Sequence, residues 1–295
     1  MTEFLLYLYA ESPVHTGAAD SADGLDLPVQ REAATRYPVI WGQSLKGALR
    51  QAATEAWRDD PVRVTAVFGS SVEDQDQQGD TTPGTLAVGD AQLVAMPVPT
   101  LHSTFAWVTT DIVLGRLTRK YSVLNRAAHP VPEIAEDAGC AASVGWTRAA
   151  SEVLGPCLVQ LGEAADDDLT AWAKLLAAHA VGNDAGFVPF AKKLGTDLIM
   201  VGSAIAPTLF RECTEQAVRV QLASDSKTVK NGPFYSEYLP AETILAAALT
   251  LRGDGDTQAN RAAISGLLDK QLLRIGGDET LGKGLMWGRL LNSEA

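Results

Sequence analysis

Every position from Phe4 to Tyr9 is apolar. A strand of that pattern has no face for water, so the run predicts a strand inside a sheet covered on both sides. Tyr37 to Trp41 is a shorter β-prone run. The period then changes. Leu45, Leu49, Ala52, Ala53, Ala56 and Trp57 recur at helical spacing, with Gly42 permitting a turn and Ser44 as a candidate N-cap. Leu86 to Leu93 and Phe105 to Thr110 read as strands. Val113, Leu117, Tyr121 and Leu124 mark a helix with basic residues between them. Residues 127–157, with Pro130, Pro132, Gly139 and Pro156, read as irregular. Leu169, Trp172, Leu176 and Ala180 give another helix. Val218, Val220 and Leu222 alternate as in a strand, and Lys227 to Gly232 reads as a hairpin or exposed loop. Ile244 to Leu251 is apolar without a decisive period. A helix over 262–271, a short strand over 272–275 and a last strand over 285–291 close the chain. Residues 71–84 are polar with glycine and proline, which predicts a mobile insertion. This irregular alternation of strands and helices argues for an α+β fold rather than a doubly wound parallel sheet.

Two segments stand outside the pattern. Residues 11–36 form a long connection carrying His15, Gly17 and Asp26, and connections of that length are usually functional or disordered. Asp26 precedes Leu27-Pro28, where it could cap a turn. As chemistry, its carboxylate could act as a base at a phosphodiester or hold a divalent cation; oxygen-only ligation with a substrate phosphate suits Mg2+ or Mn2+. His15 could donate to a phosphate or handle a proton, and Gly17 lets backbone approach a ligand. Lys46 and Arg50 lie four apart on the helix after Ser44, where free N–H groups and a cation attract phosphate. The second segment, Gly276 to Gly284, has a phosphate-cradling composition in Gly276, Gly277, Thr280, Gly282 and Lys283. It is not a nucleotide-hydrolysing P-loop, because no Ser or Thr follows the lysine.

Charge complicates a phosphodiester partner. The 295-residue chain carries a formal net charge of −12, which argues against nucleic acid at first inspection. The acids cluster in Glu73–Asp80 and Glu163–Asp168, which read as solvated loops. Arg116, Arg119, Lys120 and Arg126 are locally basic, as are Lys192-Lys193 and Lys227 to Lys230, so a local groove can still hold phosphates. The three cysteines, Cys140, Cys157 and Cys213, form no zinc-binding spacing and fit a reducing cytoplasm. No apolar run is long enough to span a bilayer, and Met1-Thr2-Glu3 lacks a signal-peptide start.

His15-Thr16-Gly17, Asp26-Leu27-Pro28-Val29-Gln30-Arg31-Glu32 and Ser44-Leu45-Lys46-Gly47-Ala48-Leu49-Arg50 resemble the N-terminal block of the CRISPR RAMP superfamily. Within it they are most like the repeated backbone subunits of type III-B (Cmr) effector complexes. Val67-Phe68-Gly69-Ser70, Val88-Gly89-Asp90-Ala91, Phe105–Thr109, Tyr235–Pro240 and Ile275–Gly284 follow in the same order. The resemblance implies a single RAMP domain over 1–295, with an RRM-like, ferredoxin-like palm and a thumb placed within 185–240. It implies a metal-dependent endoribonuclease in the cytoplasm whose partners are guide CRISPR RNA, target RNA, further copies of itself and other RAMP subunits. Asp26 is then the acid that cuts target RNA, leaving a 2′,3′-cyclic phosphate and a 5′-hydroxyl. His15, Tyr235 and Glu237 are further catalytic candidates. Gly17, Arg31, Ser44, Lys46, Arg50, Lys227, Lys230 and the glycine loop are RNA contacts. No membrane, zinc or nucleotide is expected. The stretch Pro99–Thr104 lacks the Arg and Lys that relatives commonly carry there. Two other readings stay open: a guide-binding scaffold that does not cut, and a RAMP endonuclease that processes precursor guide RNA.

Overall fold

A computed structural model describes residues 1–18, 25–70, 82–162, 165–223 and 225–293. The chain enters the fold through strand β1 (Thr2–Ala10), and residues Phe4 to Ala10 are all buried. The expected central position is found: β1 pairs antiparallel with β12 (Ile244–Leu251) on one side and β14 (Leu285–Asn292) on the other, with β13 (Leu272–Arg274) on the far edge of β14. Leu6 and Leu8 enter the core on one face, while Leu5, Tyr7 and Tyr9 enter the core on the other.

Helix α1 (Gly42–Ala56) follows the two-residue strand β2 (Val39–Ile40) and lays Leu45, Leu49 and Ala53 onto the first of these faces. Helix α2 (Pro61–Phe68) packs beside it. The run Leu86 to Leu93 splits at Gly89-Asp90 into β3 (Leu86–Val88) and β4 (Ala91–Pro99). After β12, helix α7 (Gln258–Leu268) adds Ile264 and Leu268 to the face covered by α1. The units β1, α1, β4, β12, α7 and β14, with sheet order β14-β1-β12-β4, make a ferredoxin-like βαββαβ core of the α+β class.

Between β4 and β12 a long insertion extends the same sheet. Strand β5 (Phe105–Thr109) pairs β4, β9 (Leu198–Val201) pairs β5 in parallel, and β6 (Ala138–Ala141), β8 (Cys157–Leu161) and β7 (Ser151–Leu154) continue it. The segment 127–157, read as irregular, therefore holds two strands of four residues: β6, built from Ala, Gly and Cys, is ordered by pairing with β8 and β9, and β7 by pairing with β8. Helix α3 (Asp111–Val123) buries Val113, Leu117 and Tyr121 as its spacing requires. Helices α4 (Asp167–Leu176), α5 (Val188–Leu194) and α6 (Ala206–Glu212) complete the insertion.

The acids Asp166 to Asp168, read as a solvated loop, begin α4 instead. Asp166 caps it by accepting from Leu169 N, and the others favour the positive end of the helix dipole. The expected thumb is narrower than 185–240, because β9 lies buried in the main sheet. Among the described residues, the strands that leave it are β10 (Glu215–Leu222) and β11 (Val229–Tyr238), as a two-stranded hairpin. The insertion at 71–84 and the acidic run 73–80 fall outside the described residues except 82–84. Among the described residues no helix is long and apolar enough to cross a membrane.

Candidate functional site

The long connection after β1 wraps around the end of β11 at each described stretch. Val14 bridges Leu239 antiparallel, and Leu27 bridges Ser236 in parallel. Asp26 N and Leu27 N donate to Tyr235 O at 3.1 and 3.0 Å, and Glu237 N donates to Leu27 O at 2.9 Å. This two-sided pairing carries Asp26 to the rim of the hairpin with an exposed side chain. Tyr235 N donates to Asp26 Oδ2 at 2.7 Å. A hydrogen bond to an ionised acceptor is a strong one, so one carboxylate oxygen is fixed and the other is left to face solvent. The Tyr235 ring, 40% exposed, stands at the same edge.

Glu237 and Arg31 do different work from that expected. Glu237 is 2% exposed. Its carboxylate accepts from Val29 N at 2.9 Å, from Arg31 Nη2 at 2.5 Å and from Thr214 Oγ1 at 2.8 Å. Arg31 also donates to the carbonyls of Arg36 and Phe210 at 3.1 and 3.0 Å. Both side chains are consumed inside the protein, so Glu237 does not touch a reacting group and Arg31 does not present its charge to RNA. Together they hold the Asp26 segment against the root of the hairpin.

His15 is 7% exposed, and its Nδ1 lies 2.7 Å from Glu237 O. A carbonyl can only accept, so Nδ1 donates and Nε2 is the remaining atom. His15 lines a groove of about 390 Å³ with Thr16, Gly17, Gln30, Ser44 and Gly277. A Cβ at Gly17 would stand 3.1 Å from His15 Nε2, so glycine there keeps that nitrogen uncovered. Gln30 organises the floor. It donates to Gly17 O and Ser44 Oγ, both at 3.2 Å, and accepts from Trp41 N at 2.8 Å. Thr16 Oγ1 is buried without a partner. Gly277 N donates to His15 O at 2.8 Å, and a Cβ at Gly276 (φ 97°) would fall 2.3 Å from that carbonyl. The glycine loop is thus moulded to the His15 segment. Arg274, which sequence reading passed over, supplies a cation to the groove and pairs with Glu279 at 3.0 Å.

The helix start is not free for phosphate. Trp41, not Ser44, is the N-cap, and Asp90 Oδ1 accepts from Gly42 N at 2.6 Å. Asp90 already holds the place of an anion. Lys46 and Arg50 do not line the groove. Burial, then Arg252 and Arg50, lowers the Lys46 ammonium below its ordinary value.

A third connection went unseen in sequence: Arg219 on β10 forms a two-point ion pair with Asp278 of the glycine loop. Tyr238 OH donates to the same carboxylate at 2.8 Å. The Arg219 contact, ahead of burial, holds Asp278 below the usual carboxylate range. Lys283 rests 5.1 Å above the Tyr238 ring, while Thr280 and Gly282 stand outside the groove. Lys227 and Lys230 are exposed at the far end of the hairpin, well away from Asp26.

A curated relative from Pyrococcus furiosus, described as "CRISPR system Cmr endoribonuclease Cmr4", is 29% identical over 291 residues, covering 97% of this chain and 95% of the relative. The crystal structure of oligomeric Cmr4 from the same organism matches with a TM-score of 0.74 at 26% identity, covering all of both chains. A type III-B Cmr-beta complex bound to cognate target RNA contains a chain of the same fold, with a TM-score of 0.74 at 19% identity over 98% of this chain and 96% of that one. The sequence profile of the RAMP superfamily matches residues 7–287, which take in the wrapped connection, the hairpin and the glycine loop, and the chain belongs to that superfamily.

Proposed function

We propose that this chain is a backbone subunit of a type III-B CRISPR effector complex, that it binds guide RNA, and that it cuts complementary target RNA with Asp26. The observation that carries the reading is the placement of Asp26: an exposed carboxylate, fixed through one oxygen to Tyr235 N, beside a polar groove. Gly17 pairs with Val29, so Asp26 stands three residues, about 10 Å of extended chain, from the groove wall. The endoribonuclease relative and its near-complete overlap with this chain support the same reading.

The groove offers a guide backbone the Nε2 of His15, the Ser44 hydroxyl and the Arg274 cation. Glycine at positions 17 and 277 lets a sugar–phosphate chain lie close. The hairpin, tied down by Arg219 and Asp278, rises where the paired target strand passes. Base pairs parted by such an element free a nucleotide from A-form geometry, so its 2′-OH can line up with the adjacent phosphorus. Asp26 takes the 2′-OH proton, the O2′–P bond forms and the P–O5′ bond breaks. The O5′ leaving group takes a proton from water, giving a 2′,3′-cyclic phosphate and a 5′-hydroxyl.

The described residues contain no group of three His, Cys, Asp or Glu that could hold a metal ion. A Mg2+ or Mn2+ ion carried on the RNA phosphates would find one carboxylate ligand in Asp26 and would supply charge neutralisation when bound. The test is cleavage mapping in the assembled complex with a defined guide. Asp26→Ala should bind target as the native chain does and leave it intact. Unchanged cuts at the same positions would refute the assignment, and a 2′-deoxy substitution at each mapped site should block cutting there.

A further inference from the structure

Near the start of β1 a cavity of about 190 Å³ opens between β1, α3 and β12. Leu5, Val123, Leu124 and Ala248 give it apolar walls, and Arg116, Arg119, Lys120 and Glu3 give it charged ones. Three cations against one carboxylate reverse the balance of the whole chain, whose formal net charge is −12. None of these residues lines the groove around His15. From Leu5 to Ala10, where the chain leaves for that groove, is about 17 Å of strand.

Of the three cations, one is paired. Arg116 Nη1 donates to both oxygens of Glu32 at 2.9 Å. Lys120 Nζ donates to a neutral acceptor, Gln92 Oε1, at 2.6 Å, and Gln92 Nε2 donates in turn to Glu32 Oε1 at 3.1 Å. Arg119 is exposed, and among the described residues neither it nor Lys120 forms an ion pair. Burial, then Arg116 and Arg119, lowers the Lys120 ammonium to about 8. An ammonium so placed gains from an anion, which offsets both the burial and the two like charges. On the carboxylate, Glu3 Oε2 accepts from Thr250 Oγ1 at 2.6 Å, and Oε1 is the remaining acceptor.

We propose that this cavity binds a single nucleotide, its base against the apolar walls, its phosphate on Arg119 and Lys120 and a ribose hydroxyl on Glu3. The volume of about 190 Å³ lies below the range of drug-sized sites, about 300–1,000 Å³, so it takes one ring system and not a run of bases. A bare phosphate would leave the apolar walls unfilled. A fatty acid would fill them and offer no donor to Glu3. Ribose hydroxyls do donate to carboxylates, as in dinucleotide-binding folds. Sequence reading gives no reason to expect a nucleotide here, because the cavity is assembled from three elements distant in the chain.

The experiment uses the full chain and reads binding of AMP, GMP, CMP and UMP by equilibrium dialysis. The tightest of them should bind at least about tenfold better than inorganic phosphate or ribose 5-phosphate, because only the nucleotide buries a base. Arg119→Ala with Lys120→Gln should weaken it at least about tenfold, because two charge-assisted contacts go. Lys120→Arg, which keeps the charge, should hold it within about threefold, and Arg274→Ala in the His15 groove within about twofold. A 5′-phosphorylated RNA tetramer separates two sources of the nucleotide. Displacement by the tetramer at a lower concentration than the mononucleotide needs assigns the cavity to a strand end, and failure to displace assigns it to a free nucleotide. No binding of any of the mononucleotides, or phosphate bound as tightly as they are, overturns the proposal. So does a loss in Arg274→Ala with none in the Arg119 and Lys120 variant, which would put the nucleotide in the guide groove. None of these results bears on cutting by Asp26.

Discussion

Asp26 and Glu242 lie on opposite sides of one hairpin root and are handled in opposite ways. Asp26 is exposed and accepts a hydrogen bond from Tyr235 N. Glu242 has a buried oxygen and no donor, and its carboxyl is pushed up to about 7. Glu237, between them in the fold, is buried yet satisfied by Arg31, Thr214 and Val29 N. Three acids thus meet one element with three outcomes, set by solvent and by partners. The exposed acid is open to a substrate, the paired one holds two segments together, and the third keeps one oxygen buried without a donor.

The comparison breaks most visibly at Asp26. Asp26→Asn can still accept from Tyr235 N, so it removes the charge and keeps the geometry. Target cutting in the assembled complex should fall at least about 100-fold, the scale of losing a general base, with the melting temperature within about 1 °C of native. A cutting rate within threefold of native would move the chemistry elsewhere.

Removing Glu237 should read out in folding first. Glu237→Leu leaves the Arg31 guanidinium buried without its counter-charge, which costs about 3–5 kcal/mol. Urea denaturation measures it. Arg31→Met in the same chain should recover more than half of that loss, because the uncompensated charge goes with it. Equal stability of the single and double variants would mean that Glu237 is not the strut described here.

The Arg219–Asp278 pair is more exposed, and its effect should be smaller. A double-mutant cycle with Arg219→Ala and Asp278→Ala should give a coupling of about 1 kcal/mol. Cutting should fall about tenfold in either single variant, with guide affinity within twofold, because the pair orients the hairpin without touching the cut site. Equal loss of guide binding and cutting would assign the pair to the groove instead.

How much of this was legible in the sequence follows from the range of each interaction. β1 could be read because a strand apolar on both faces needs two neighbours and two covering layers. Helix α3 could be read because its buried stripe is local. Ile244 to Leu251 could not be typed: the run has no period, and it is a strand because β1 and β4 pair with it. β6 was hidden in Ala-Gly-Cys-Ala, where small side chains carry no signal and the neighbours β8 and β9 supply the order. Asp26 was legible as a motif. Its holders were not, since Arg31 meets Glu237 across 206 residues and Arg219 meets Asp278 across 59. The expected phosphate site at α1 failed for the same reason: Asp90, 48 residues away, occupies the helix start.

The smallest effect isolates Glu242 in the free chain. Its carboxyl rises from an ordinary 4.5 to about 7 because burial disfavours the charge. The folded protein therefore binds this proton more tightly than the unfolded chain does. Below about pH 4.5 both states are protonated and the favourable contribution is fully present. It is lost as pH rises toward 7, and above 7 the fold carries an ionised, unpartnered carboxylate at full cost. Glu242→Gln has no charge to lose. It should match the native chain at pH 4 and exceed it at pH 8 by about 1 kcal/mol, a value reduced for the partial exposure of the side chain. In a chain of this length that is about 2 °C of melting temperature. Asp26→Asn supplies the contrast, because the Asp26 side chain is exposed and accepts from Tyr235 N. A difference between Glu242→Gln and native that is the same at pH 4 and pH 8 would show that Glu242 finds a donor or water in the free chain, and the contrast between the two acids would then shrink to exposure alone.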